Sequence, residues 1–478
     1  MRKRTFIAVT LLLAAPSAVR AYDSGSTGAD GALCIGDKKR DLVDGTTCVD
    51  DTDNPYDNVV VTLPPSGILN YTVVYVGPSS TLKFARNQAN TPVYLLATGD
   101  VDLRGLVDVS GEAAFCAYTT GYTPTQAADL LCWGGLPGPG GDAGGSIGPA
   151  PLGASHGLGP DSGGAAGGDL GDTGADACVG SGGAGPTLTG QDGGCRAGVL
   201  CKDGGEKLAG PGWKLTHGGS GGGAAFMYWG ADPAASGEVE GGGGGGGAIV
   251  IASSTRIGIY NGSIQANGAG RGYFGGGGGG GLIRLVADVV TSRLGETTYP
   301  AYLLASSNCQ YNPWSSAPFC SVSADGVAAC GAPGLIEIET LDQSTFALTS
   351  NPANVYFAAP RRALPWGDDP AQQPSLTITK VEDLTVPPLP TNVHPHRHPV
   401  LTIPTGVNLT VEVAGKYVPT DAAVKIGVNT VGRGRQVVSA GYVSGDLTAS
   451  IWRAEIALPA DTRVGDLQAW VRQITVPE

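Results

Sequence analysis

Apolar residues along this chain come in short strand-like runs, and no helical period of comparable length appears. From Asn58 to Gly111 they come in short bursts: Val59-Val60-Val61, Ile68 to Val76, Leu82 to Phe84, Val93 to Ala97, Val101-Asp102-Leu103 and Val107-Asp108-Val109. β-Branched residues dominate and turn residues separate the bursts every few positions, which predicts strands. Ala248 to Ala252, Leu282 to Ala287 and Leu335 to Glu339 predict three more, each entered directly from glycine. Residues 375–478 alternate more cleanly, in Leu376-Thr377-Ile378, Leu409 to Val413, Val424-Lys425-Ile426, Val437-Val438, Ile451 to Ile456 and Trp470-Val471-Arg472. That alternation, broken by turns such as Pro404-Thr405-Gly406, predicts antiparallel sheets with one buried face.

Two internal matches bear on architecture. Val101-Asp102-Leu103-Arg104-Gly105 corresponds to Ile257-Gly258-Ile259-Tyr260-Asn261-Gly262, and the following Val107 to Gly111 corresponds to Ile264 to Gly268. A degenerate strand-turn-strand unit of this kind is how a parallel β-helix reads, because one rung cannot bury its own apolar face and must stack. Short punctuated strands also occur in a β-sandwich, and the repeated unit tilts the reading toward the β-helix. The chain thus divides into residues 1–21, a glycine-rich β-helix region at 22–374 and an Ig-like β-sandwich at 375–478. Residues 112–240 form one long glycine-rich insertion between two matching rungs.

Glycine changes the picture most. About 55 of the 79 glycines lie between Gly134 and Gly281, so side chains are scarce there and backbones can approach closely. Such a tract is either a flexible linker or a set of extended left-handed helices packed side by side. Cys132, Cys178, Cys195 and Cys201, with Trp133, Trp213 and Trp229, are unusual in a linker and favour partial order.

The first residues predict export. Arg2, Lys3 and Arg4 precede the apolar stretch Phe6 to Ala15, and Val19 and Ala21 occupy the −3 and −1 positions of a cleavage site before Tyr22. Loss of Arg2, Lys3, Arg4 and Arg20 with this leader takes the formal charge from −13 to −17. A chain so acidic is not expected to hold nucleic acid or anionic membrane through its general field. No later stretch is apolar for long enough to predict a transmembrane segment. The ten cysteines are Cys34, Cys48, Cys116, Cys132, Cys178, Cys195, Cys201, Cys309, Cys320 and Cys330. In an exported chain they read as disulfides, with short loops favouring Cys34–Cys48 and Cys116–Cys132 and the other pairings open.

The order of segments resembles a diffuse group of secreted bacterial glycine-rich β-helix proteins. The likeness runs from Val59 through Phe84-Ala85-Arg86 and Thr91-Pro92-Val93 to Val109-Ser110-Gly111, then through the glycine-run-plus-strand pairs and the β-sandwich tail. Composition is also similar to the PE-PGRS group, whose N-terminal helical domain is missing here. The resemblance implies surface or extracellular placement and no particular chemistry.

Four sets of residues are candidates for chemistry. Asp100, Asp102 and Asp108 could act as the carboxylates of a β-helix polysaccharide lyase or hydrolase, and alternation puts Arg104 on the same side as Asp102. Asp169, Asp172 and Asp176, with Asp161, lie in a glycine-rich stretch that could supply oxygens to calcium, the one ion the sequence suggests. His394, His396 and His398 form a His-Pro-His-Arg-His segment better read as an exposed turn than as a zinc or copper site. Tyr228, Trp229 and Trp314 could stack on sugar rings or anchor loops. A repetitive face poor in charge suits broad contact better than a shaped pocket. The expectation is therefore a secreted or cell-surface structural, adhesin-like protein of the extracellular matrix, with the reading tilted away from an enzyme and no cofactor required. Its partners would be extracellular polysaccharide, other cells or copies of itself. A polysaccharide-cleaving enzyme and a calcium-dependent module are the alternatives.

Overall fold

A computed structural model describes residues 21–51, 57–87, 90–116, 132–145, 157, 183–185, 193–194, 200–202, 217–228, 237–270, 275–307, 330–352, 355–364, 372, 374–385, 408–430, 434–458 and 464–471. Among these the protein is all-β, without an α-helix. Its N-terminal part is a curled parallel sheet that the chain builds by returning repeatedly to the same three ladders.

The first ladder joins Ile68–Val76, Val93–Ala97, Ala248–Ser253, Leu282–Val286, Leu335–Glu339 and Val355–Ala358 in that order. Val101–Leu103, Arg256–Ile259 and Val289–Thr291 form the second. Asn58–Thr62, Thr81–Ala85, Leu106–Asp108, Ser263–Gln265, Ala301–Leu304 and Leu348–Asn351 form the third. The long strand Ile68–Val76 pairs with Val93–Ala97 through its first half and with Val101–Leu103 through its second, so the sheet curls there.

The internal matches in the sequence are ladder partners in the fold. Val101, Asp102 and Leu103 stand opposite Ile257, Gly258 and Ile259, and Ala248, Leu282 and Leu335 follow one another in register. Ile249 stands opposite Val93, so the rungs on either side of the long insertion touch directly.

Alternation sorts the side chains between two faces. Leu95, Ile251, Leu285 and Ile338 of the first ladder, Leu103 and Ile259 of the second, and Leu82, Val107, Ile264 and Leu303 of the third fill one shared apolar core. Hydrophobic burial at roughly 1.5–3 kcal/mol per large aliphatic side chain holds the ladders together.

Most described glycines between Gly134 and Gly281 are buried, and the hydrogen bonds of the run Gly241–Gly247 repeat every three residues. Within Gly241–Gly247, the amides of Gly242 and Gly245 donate to the carbonyls of Gly145 and Asp142. Those of Gly243 and Gly246 donate to Gly276 and Gly279, and those of Gly244 and Gly247 to Glu112 and Val109. The carbonyls of Gly242 and Gly245 accept from Gly135 and Gly138, those of Gly243 and Gly246 from Gly222 and Gly219, and that of Gly244 from Ala269. One run is thus tied to six surrounding segments, three through its donors and three through its acceptors. A three-residue repeat with no positive φ in the run is the geometry of an extended polyproline-type helix. A Cβ added at Gly242, Gly245 or Gly281 would meet the carbonyl oxygens of Gly222, Gly219 or Gly247. Only glycine permits that spacing at these positions.

Cys34 and Cys48 form a disulfide, with Cα atoms 5.7 Å apart, beside the hairpin Lys38–Arg40/Cys48–Asp50. Cys116 and Cys132 stand opposite one another in an antiparallel pair, where Phe115 stacks on Trp133 at 5.8 Å. Cys330 is disulfide-bonded. Cys178, Cys195, Cys309 and Cys320 lie outside the described residues, and Cys201 falls in the short strand Leu200–Lys202.

The described residues from 375 onward form two antiparallel sheets. Ser375–Val381, Asn408–Lys416, Ser450–Ala457 and Gly441–Gly445 are the main strands of one, and Gly434–Ser439, Val424–Thr430 and Val464–Val471 make the other. Val411, Val413, Trp452 and Ile456 of the first sheet share a core with Val424, Ile426 and Val428 of the second.

Candidate functional site

The three ladders present outer faces of different character. On the first, Tyr94, Leu96, Val250, Ala252 and Val286 are buried under Tyr22, Ala363 and Leu364. Register also places Arg284 and Glu337 side by side on this face, with Glu339 two residues further along. Arg284 donates to both oxygens of Glu339 at 3.0 and 3.1 Å, and to the carbonyls of Arg362 and Ala363. Arg361 reaches Glu339 from the roofing segment at 2.7 Å. Burial alone would raise the Glu339 carboxyl, but the hydrogen bonds and charge of Arg284 and Arg361 outweigh it and hold the group below the usual carboxylate range. Glu337 goes the other way: burial, with the neighbouring Glu339 charge, raises it. The roofing segment covers this face over its central strands, and Tyr356 on the last strand stays exposed.

The second ladder carries charge that is already matched. Arg104 forks onto both oxygens of Asp102 at 3.1 and 3.0 Å, as their shared strand side predicts. Arg256 holds Asp100 at 2.7 Å, and Thr255 donates to the same carboxylate. Tyr75 donates to Asp37, and the Arg104 guanidinium lies over the rings of Tyr75 and Tyr260. Burial first, then that hydrogen bond, raises the Tyr75 phenol. The third carboxylate of the proposed set, Asp108, sits on the third ladder, paired with Lys83 at 3.2 Å. A corner of the chain at Arg104-Gly105 separates Asp102 from Asp108. The fold therefore puts the three carboxylates on two faces, each beside its own cation.

The third ladder is the face left open. Strand alternation brings three rows to its outer side: Asn58, Thr81, Leu106, Ser263, Tyr302 and Thr349; then Val60, Lys83, Asp108, Gln265, Leu304 and Asn351; then Ser110, Asn267 and Ser306. Each is at least partly exposed. In-register neighbours recur at about 4.8 Å, the spacing between strands. Hydrogen bonds fix the amide groups: Asn267 accepts from the Ser306 amide and hydroxyl at 2.9 and 2.8 Å, and Gln265 donates to Ser263 at 3.4 Å. A shallow depression of about 390 Å³, lined by Asn58, Val60, Thr81, Lys83, Leu106 and Asp108 among others, opens toward one end of this face. Such a surface offers amides, hydroxyls, one tyrosine ring, aliphatic patches and the Lys83–Asp108 pair in an in-register array.

Asp161, Asp169, Asp172, Asp176, Trp229, Trp314, His394, His396 and His398 lie outside the described residues. Tyr228 ends the strand Ala225–Tyr228, which pairs with Gly237–Glu240. Among the described residues no three His, Cys, Asp or Glu side chains converge as metal ligands. No described helix is long and apolar enough to cross a membrane.

Sequence reasoning missed the open face, although Ser263, Gln265 and Asn267 follow the period of two that would have marked it. It also missed the buried ion pair. The signal there was charge inside two matching apolar strands, Arg284 in Leu282–Val286 and Glu337 with Glu339 in Leu335–Glu339. Comparison with family models, characterised proteins and solved structures returns no match.

Proposed function

We propose that the chain is a secreted or cell-surface structural and adhesive protein that contacts extracellular polysaccharide along the outer face of the third ladder. Its three ladders would be the sides of a parallel β-helix, with the glycine segments as an ordered bundle beside it and an Ig-like β-sandwich at 375–478. The open third face carries the reading: an in-register array of amides and hydroxyls around Gln265 and Asn267 matches the repeating hydroxyls of an extended sugar chain. Tyr302 adds a ring on which a sugar can stack. The glycine bundle supports a structural role, since its backbone bonding stiffens the wall without consuming side chains.

The test incubates purified protein with a panel of extracellular polysaccharides and scores retention together with release of new sugar ends. Retention without new ends is expected. New ends would overturn the adhesive reading in favour of a lyase or hydrolase, and no retention on any member would overturn the polysaccharide partner.

A further inference from the structure

The roof over the first ladder begins at Tyr22. Its ring packs into the cluster formed by Ile68, Tyr94, Val250 and Leu364, and its phenolic oxygen is buried without a hydrogen-bond partner. Its backbone nitrogen donates to the Asp288 carboxylate at 3.0 Å. Two residues on, Ser24 is buried; its amide donates to Ser254 and its hydroxyl to the Ala97 carbonyl at 2.7 Å. Ser26 donates to the Tyr71 carbonyl. Ala21, by contrast, is exposed. Tyr22 is thus the first residue that the described structure anchors, directly after the leader pattern ends.

We infer that hydrolysis of the Ala21–Tyr22 bond creates an N-terminal docking group, the α-ammonium of Tyr22, and that Asp288 is its receptor. The inference rests on the export reading above. A leader peptidase adds water across the amide: Ala21 leaves as a carboxylate, and Tyr22 keeps the nitrogen, which takes up a proton. Ordinary α-amino groups titrate near 8, so the group is largely charged at neutral pH. The nitrogen already stands at hydrogen-bond distance from Asp288, and gaining a charge roughly doubles the strength of such a bond. Processing thus tightens the roof, and Asp288, which no sequence motif marks, is the residue that senses it.

The test exports the full chain through a bacterial secretion route and reads its first residue by N-terminal sequencing and intact mass. Melting temperatures are then compared for wild type and Asp288→Asn, each made both with Tyr22 first and with one extra alanine ahead of it. The exported protein should begin at Tyr22. Asp288→Asn should lower its melting temperature by about 2–4 °C, and that of the extended protein by less than about 1 °C. Equal losses in the two backgrounds would overturn the docking role, and an exported protein with another first residue would overturn the site while leaving the export reading intact. A chain retained inside the cell with its leader would overturn both.

Discussion

Substituting Gly245 by alanine probes the glycine bundle where it is most enclosed. The Gly245 amide donates to Asp142, and its carbonyl accepts from Gly138. A Cβ would point at the Gly219 carbonyl oxygen, part of a backbone rather than a movable side chain. Making room displaces the segment that bonds through Gly219 to Gly246 and through Gly222 to Gly243. Two backbone hydrogen bonds at roughly 1 kcal/mol each, plus roughly 1–3 kcal/mol of overpacking, oppose the change. Reduced freedom of the unfolded chain returns roughly 0.4–1 kcal/mol. The net expectation is a loss of about 2–4 kcal/mol. Gly441→Ala is the control: the nearest atom to its added Cβ is the Arg453 carbonyl oxygen at 3.9 Å, an ordinary contact. Urea unfolding, paired with hydrogen exchange of the glycine amides, reads both variants. If Gly245→Ala unfolds at the wild-type midpoint with its amides still protected, the close-packed account of the tract is wrong.

Glu339→Gln removes the carboxylate that Arg284 forks onto, leaving beside the guanidinium only Glu337, whose carboxyl burial raises, and should cost about 3–5 kcal/mol in thermal or urea unfolding. Because Arg284 and Arg361 hold the folded Glu339 carboxyl low, its stabilisation is whole above the unfolded value near 4.3 and disappears as pH falls through the folded one, so wild type should lose more stability in acid than the variant. Glu337→Gln should do the reverse: the folded state resists charging this raised carboxyl, so the variant melts higher at pH 7, with the advantage gone below the ordinary carboxylate value. The Cys34–Cys48 bridge spans a sequence separation of 14, so replacing both cysteines with serine should cost about 3 kcal/mol, read as a lower urea midpoint under oxidising conditions.

Much of the architecture was legible because apolar alternation and internal repetition are local signals. Val101–Leu103 and Ile257–Ile259 matched as strings and proved to be ladder neighbours, as did the strands following each glycine run. The ordering of glycine was only half legible. The sequence allowed packed extended helices but could not say which six segments surround Gly241–Gly247, since glycine carries no side chain to encode its partners. The candidate carboxylates misled for a different reason. Asp102 and Asp108 are six residues apart on consecutive strands, and only the corner between them decides that they face different ways. The open face was hidden by its blandness, because Ser263, Gln265 and Asn267 look like any solvated strand edge until the other faces are seen to be covered or charge-matched.

Retention of the protein on its best-bound polysaccharide, measured for wild type and for Gln265→Ala/Tyr302→Ala at matched folding, tests the account at its centre. Both side chains lie on the outer side of the third ladder, away from the core. Loss of one hydrogen bond and one stacking contact, worth roughly 1 kcal/mol each, predicts binding weaker by about tenfold or more with the melting temperature nearly unchanged. Undiminished retention by the double variant would contradict the assignment of this face as the contact surface.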